Sequence, residues 1–147
     1  MPQEAPDARE VVELIRKAGR RAVPLAYLTT GAAIINTSSV NACEPSERLI
    51  DFAATDAAIA NVPKDLAKAL APTGIRVHAV APGPFWTPLQ VSGGKLPGTL
   101  PCFGAETPIG RPGQPAELAG SSVLLASNEA SEATGQVFGA VGVRGGP

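Results

Sequence analysis

Short apolar runs alternate with amphipathic stretches along most of this chain. The runs Ala32–Thr37 (AAIINT) and Ile75–Val80 (IRVHAV) are short and contain several β-branched residues, which favours buried strands over helices. A third strand is predicted over Gln136–Val141. Strands of a parallel sheet that are covered by helices on both faces have such continuous apolar sequences.

Helical periodicity is found between and around these strands. The spacing of apolar residues predicts an amphipathic helix over Pro6–Lys17, a helix over Asp51–Leu70 capped by its first residue, and a helix over Ala116–Ser127. Pro63 lies inside the second helix. We therefore expect a kink or a break near Asn61, because an internal proline removes a backbone hydrogen bond and costs roughly 3 kcal/mol.

The order of these elements predicts an α/β fold with a parallel sheet and right-handed crossovers. Residues Phe85–Gly113 are rich in Gly and Pro and lack periodicity, which is typical of a substrate lid, a binding loop or a disordered segment. Ligands of such sheets bind at the carboxyl ends of the strands. Ser39, Pro82 and Gly83 are expected at that edge.

Composition excludes several classes of function. The 147 residues suit one domain, and 12 basic against 13 acidic side chains give no electrostatic basis for binding nucleic acid or anionic lipid. No apolar run approaches the roughly 20 residues of a membrane span, and the polar N-terminus is unlike a signal peptide. The expectation is a cytoplasmic protein. Cys43 and Cys102 lack metal-ligand spacing, so we expect free thiols and no metal site.

Five segments together carry a family resemblance. They read INTSSV, DFAATDAAI, GIRVHAVAPGPFWTP, GRPGQPAELAGSSVLLAS and ATGQVFG, in that order. Over residues 31–142 they resemble the C-terminal half of a short-chain dehydrogenase/reductase. Residues 1–25 resemble the helix and strand that follow the second strand of that fold. The resemblance implies a single truncated domain over residues 1–147, a partial Rossmann-like parallel sheet flanked by helices that lacks the N-terminal nucleotide-binding strands.

Two hallmarks of that family are absent from the sequence. The glycine-rich loop, which would hold the cofactor pyrophosphate at a helix N-terminus, has no counterpart, and neither has the Asn-Asn-Ala-Gly strand end. We interpret this as an internal deletion that joins a piece ending near Leu25 to one beginning near Ala26. The first strand and helix of the fold are also missing under this interpretation.

The resemblance also assigns the catalytic positions. The family uses a Ser to polarise the substrate, a Tyr thirteen residues later to transfer the proton, and a Lys four residues further on to lower the phenol pKa. Ser39 matches the Ser, but Phe52 stands at the Tyr position and Asp56 at the Lys position. Phe52 has no proton to transfer, and a carboxylate would raise the pKa of a neighbouring phenol. Both changes predict an inactive site.

Part of the cofactor site is retained under the same resemblance. Pro82, Gly83 and Thr87 match the residues that line the nicotinamide carboxamide in the family. Without the phosphate-binding half, these contacts are expected to give little affinity. We therefore expect no cofactor, and NAD or NADP if there is one.

Each candidate residue also has a purely structural interpretation. Ser39 could cap the strand end, Phe52 could pack in a core or an interface, and Asp56 could be a solvated helix residue. His78, at a position where relatives usually carry Asn, is expected to be a buried imidazole with satisfied hydrogen bonds. A Ser39/His78/Asp56 hydrolytic triad is disfavoured, since His78 lies four residues before Pro82, roughly 13 Å of strand rise from the active edge.

The missing strands predict self-association. Without its usual neighbour, the strand over Ala32–Thr37 would expose an unpaired backbone edge that another chain can join. We therefore expect a homo-oligomer. Three functions stay open: a relative of the family with little or no redox activity, an NAD(P)-dependent oxidoreductase completed by oligomerisation, and a hydrolase or small-molecule binder that reuses the cleft at Ser39.

Overall fold

A three-stranded parallel sheet forms the centre of the computed structural model, which describes Glu13, Arg16, Lys17 and residues 28–47, 49–92 and 97–142. Its strands are β1 (Ala33–Thr37), β2 (Arg76–Pro82) and β3 (Val137–Ala140), in the order β1-β2-β3. All three predicted strands and their parallel pairing are confirmed.

Strand β2 is the most deeply buried element of the described chain. It pairs with β1 from Ala33 opposite Arg76 to Thr37 opposite Val80, and with β3 along its second half. Every residue from Arg76 to Ala81 is buried. A strand covered on both faces and paired on both edges needs small or branched apolar side chains at most positions, which β2 has at Val77 and from Ala79 to Ala81; the buried Arg76 and His78 are exceptions.

The helix after β1 is α1, Ile50–Leu70, and it runs without interruption through Pro63. Of the two expected alternatives, a kink or a break near Asn61, the break is therefore wrong. The ring of Pro63 is fully buried, so its packing offsets the loss of one backbone hydrogen bond. Asp51 is not the N-cap either: Leu49 holds that position, and Asp51 lies in the first turn, where a carboxylate interacts favourably with the helix dipole.

Helix α3, Pro115–Ala126, connects β2 to β3 and confirms the predicted third helix. Pro115 occupies the first turn, where its missing N–H costs nothing. The Glu117 carboxylate forms a bidentate ion pair with Arg111 and also accepts a hydrogen bond from the Gln114 backbone N–H at 2.7 Å. These bonds to the carboxylate lower the pKa of Glu117 to about 2.

The segment between β2 and α3 is mostly irregular, as its composition predicts, but it is closed at its base. The Trp86 N–H donates to the Gly113 carbonyl at 2.8 Å, and the Gly113 N–H donates to the Pro84 carbonyl at 2.9 Å. A short helix, α2 (Leu89–Ser92), and a 3-10 turn over Pro97–Cys102 lie inside this loop.

The remaining sequence predictions have mixed outcomes. Glu13, Arg16 and Lys17 are helical, but the rest of the predicted N-terminal helix and the strand remnant before residue 25 lie outside the described residues. Cys43 and Cys102 are exposed free thiols, as expected. Within the described ranges, no helix combines the length and the apolar character that crossing a membrane requires.

The close packing of Gly83, just after β2, against Val141, just after β3, can be tested by substitution. A Cβ at Gly83 would lie 2.8 Å from the Val141 Cα, so Gly83→Ala should lower the free energy of unfolding by about 1–3 kcal/mol. A Cβ at Gly120, in the middle of α3, meets nothing within 4 Å. Gly120→Ala should instead raise stability by up to about 1 kcal/mol, because alanine is the better helix former.

Urea denaturation of the two variants, followed by circular dichroism, measures both effects. Equal stability changes for Gly83→Ala and Gly120→Ala would contradict the packing described here.

Candidate functional site

Ser39 is the second residue after the carboxyl end of β1 and caps a 3-10 turn over Val40–Ala42. Its Oγ accepts hydrogen bonds from the Asn41 backbone N–H and from Asn41 Nδ2, both at 3.2 Å. The structural interpretation of Ser39 as a cap is confirmed. Because both bonds are accepted, the hydroxyl proton of Ser39 stays available for donation.

Ser38, the residue before it, ties the end of β1 to the rest of the site. Its N–H donates to the Val80 carbonyl at 2.8 Å, and its buried Oγ donates to the Asp56 carbonyl at 2.8 Å. This contact was not predicted from the sequence. The sequence does contain a hint of it: successive side chains of a strand point to opposite faces, so one of two consecutive serines at a strand end is buried.

Phe52 lies in the first turn of α1. The residue is 40% exposed, and its carbonyl accepts a hydrogen bond from Thr55 Oγ1 at 2.8 Å. A phenyl ring of this exposure contributes apolar surface and has no ionisable group. Phe52 therefore offers packing surface, which agrees with the interpretation of this residue as a packing or interface residue.

Asp56, one helical turn further on, is only 6% exposed. The expectation of a solvated side chain is wrong, because position 56 lies on the same face of α1 as the buried residues Ala53, Ala60 and Pro63. Its Oδ2 atom is buried without a hydrogen-bond partner. Burial disfavours the charged carboxylate and raises the pKa of Asp56 above its usual value.

The carboxyl end of β2 lies beside that of β1. Gly83 donates its N–H to the Ala140 carbonyl at 2.9 Å, and its lack of a side chain allows the backbone of Val141 to approach closely. Pro82 and Thr87 are half-buried near this strand end. Parallel pairing of β1 with β2 thus places Ser39 and Pro82-Gly83 at one edge of the sheet, as predicted.

The imagined hydrolytic triad is not assembled. His78 is fully buried within β2, where its Nε2 lies 3.4 Å from Nη1 of Arg76. Ser39 Oγ is bonded to Asn41, and no hydrogen bond connects it to His78 or to the Asp56 carboxylate. His78 is a buried imidazole, as expected, but its hydrogen bonds are not all satisfied, because Nδ1 is buried without a partner. In the part of the chain that is described, no cluster of His, Cys, Asp and Glu could hold a metal ion.

Comparison with known proteins identifies the family of this chain. A family profile described as enoyl-(acyl carrier protein) reductase matches residues 9–142. The chain is also 54% identical over 123 residues to the uncharacterized oxidoreductase YghA of Escherichia coli K12. This chain belongs to the short-chain dehydrogenase/reductase family.

The curated relatives of this short-chain dehydrogenase/reductase are longer. The alignment with YghA covers 84% of this chain and 41% of YghA. A chloroplastic NADPH-dependent aldehyde reductase of Arabidopsis thaliana is 46% identical over 115 residues, which is 78% of this chain and 40% of the reductase. The chain thus spans about 40% of the length of the curated relatives it matches.

Solved structures agree with the family and the fold. A 3-oxoacyl-[acyl-carrier protein] reductase from Brucella melitensis has 35% identity and a TM-score of 0.66, covering 95% of this chain and 54% of the reductase. A 7α-hydroxysteroid dehydrogenase in complex with NADH has 29% identity and a TM-score of 0.69, covering 76% of this chain and 43% of the dehydrogenase. The described strands and helices therefore form a Rossmann-like fragment of the family fold.

The buried carboxyl of Asp56 makes a pH-dependent prediction. A raised native pKa means that the folded state holds a proton more tightly than the unfolded state, so ionisation of Asp56 costs stability as the pH rises through the native pKa. Asp56→Asn removes this ionisation. The stability advantage of the variant over the wild type should grow from about pH 3 to pH 8 in urea denaturation. A difference that is the same at all pH values would contradict the burial of this group.

Proposed function

We propose that this short-chain dehydrogenase/reductase does not itself transfer hydride with NAD(P), and that it acts as a folded, self-associating module. The proposal rests chiefly on Phe52, thirteen residues after Ser39, at the position where the family resemblance requires a tyrosine. Reduction of a carbonyl needs a proton donor within hydrogen-bond reach of the developing alkoxide. A phenyl ring cannot supply that proton at any pH.

The carboxyl of Asp56 is not a replacement proton donor under this proposal. It stands where the resemblance requires a lysine, and its buried Oδ2 faces no partner. A lysine at this position would add a positive charge beside the reacting oxygen, whereas Asp56 adds either a negative charge or a neutral acid. The Oδ2 atom is enclosed by protein, so a substrate oxygen has no access to it.

The residues present in the chain do not fit a complete dinucleotide site. Pro82, Gly83 and Thr87 retain the rim on which the nicotinamide carboxamide rests in the family, and Gly83 keeps its close backbone approach to Val141. The sequence contains no glycine-rich loop that could bind the pyrophosphate. A rim for one end of a long, anionic cofactor supports at most weak binding.

The proposed self-association rests on two surfaces. Among the described residues, β1 pairs with β2 only, so its other backbone edge has no described partner strand. Helix α1 also exposes large apolar side chains, with Ile50 74% exposed. Its outward face forms a shallow groove of about 440 Å³ lined by Ala58, Asn61, Val62, Asp65, Leu66 and Ala69. A second copy of the chain, packed helix against helix, would bury this apolar surface.

Cofactor binding and turnover test the first half of the proposal. NADH and NADPH fluorescence should be unchanged on titration with the protein, and aldehyde and ketone substrates should not be reduced above the rate without protein. The double variant Phe52→Tyr/Asp56→Lys should stay inactive as well, because it restores the phenol and the ammonium but not the phosphate-binding loop.

One result would overturn this half of the proposal, and another would contradict the role as a module without catalysis. Saturable quenching of NADPH by the wild type would favour an oxidoreductase that oligomerisation completes. Activity toward activated esters that disappears in Ser39→Ala would favour the hydrolase hypothesis.

The groove on α1 gives the test of self-association. Val62→Asp should raise the dissociation constant of the oligomer by roughly tenfold or more, equal to about 1.4 kcal/mol, since a carboxylate would be desolvated in the interface. Val123→Asp is the matched control, because Val123 is also exposed but lies on α3. Sedimentation equilibrium measures both. A monomeric wild type at micromolar concentration, or equal effects of the two variants, would contradict the proposal.

A further inference from the structure

Arg76 is a buried cation at the start of β2, with only 8% of its surface exposed. Its Nη1 donates to the Leu125 carbonyl at 2.6 Å, and its Nη2 donates to the Ser127 carbonyl at 2.9 Å. Among the described residues it forms no ion pair with a carboxylate. Its charge is compensated by a carbonyl in the last turn of α3 and by that of the C-cap residue Ser127, where the helix dipole is negative.

His78 lies two residues further along β2 and therefore on the same face of the strand. It is fully buried, and it is the single histidine of the chain. Because a guanidinium can only donate, the 3.4 Å contact with Nη1 of Arg76 requires His78 Nε2 to be an unprotonated acceptor. Burial, and then the charge of Arg76, lower the pKa of His78, while the backbone of Ala133 partly opposes the shift.

Of the charged groups on the elements packed against β2, only Arg76 shifts the pKa of His78, and the buried Asp56 of α1 does not. The strands beside it, β1 and β3, contain no charged residue, and Arg76 is the charged group that faces it on β2 itself. The charged residues of α3 and of the chain that joins α3 to β3 are Glu117, Glu129 and Glu132, and all three are exposed. Glu117 is bound to Arg111.

We propose that Arg76 and His78 form a proton-operated latch that holds the connection between α3 and β3 against the sheet while His78 is neutral and releases it when His78 is protonated. A proton on Nε2 would replace an accepted hydrogen bond with a contact between two buried cations. The repulsion is relieved when the guanidinium moves away and gives up its bonds to the Leu125 and Ser127 carbonyls.

The segment that the latch would release is attached to β2 by few other bonds. Thr134 Oγ1 accepts from the Val77 N–H at 3.0 Å, and the Gly135 N–H donates to the Val77 carbonyl at 2.7 Å. Both bonds involve the residue between Arg76 and His78. Movement of the guanidinium and the imidazole would therefore disturb the bonds that position the start of β3.

Nuclear magnetic resonance of the full chain tests the latch, because a single histidine gives a single imidazole signal. The imidazole should titrate with a midpoint below its ordinary value of 6.5. The backbone amides of residues 125–135 should shift with the same midpoint, while those of Ala60 and Ala67 in α1 should not. In His78→Asn, whose side-chain oxygen can still accept from Arg76 but cannot become charged, the shifts of residues 125–135 should vanish.

Three results would overturn the proposal. The first is an imidazole midpoint at or above 6.5. The second is an unchanged pH response of residues 125–135 in His78→Asn, or in His78→Gln should the asparagine variant not fold. The third is the simultaneous loss of all backbone signals, which would mean that acid unfolds the whole chain and does not release one segment.

Discussion

The complete burial of β2 is the constraint on which the rest of the described structure depends. This strand pairs with β1 on one edge and β3 on the other, and its residues from Arg76 to Ala81 are buried. Polar groups on it are therefore costly unless they find a partner inside the protein. That requirement explains why Arg76 reaches the end of α3, and why Thr134 accepts a hydrogen bond from the backbone of Val77.

The same strand sets the geometry of the candidate site. Its pairing with β1 places Ser38 where it bonds to the Val80 carbonyl and to the Asp56 carbonyl of α1. Its carboxyl end carries Gly83 against Val141. This framework of strands and helix is maintained by backbone hydrogen bonds and small side chains, so it does not require a tyrosine or a lysine in α1. Under our proposal, the fold of the family is retained here while the groups for hydride transfer are not.

The sequence was sufficient to predict the strands, the third helix and the parallel topology, because continuous apolar runs and turn residues mark them directly. It did not predict the unbroken helix α1 or the burial of Asp56. Local hydrogen bonding alone predicts a break at Pro63. The burial of its ring depends on tertiary contacts, which the local sequence does not show. Asp56 looks solvated because carboxylates usually are, but its helical phase is shared with Ala53 and Ala60. The partners of Arg76 lie 49 and 51 residues away, beyond any local pattern.

The central claim, that this chain does not transfer hydride, is tested most directly by following the hydride itself. The protein at stoichiometric concentration is incubated with NADPH deuterated at C4 of the nicotinamide and with a panel of aldehydes and ketones. Mass spectrometry of the products then detects any transfer. The account predicts no deuterated alcohol above the amount formed without protein. Deuterated alcohol that forms with the purified wild type would contradict it.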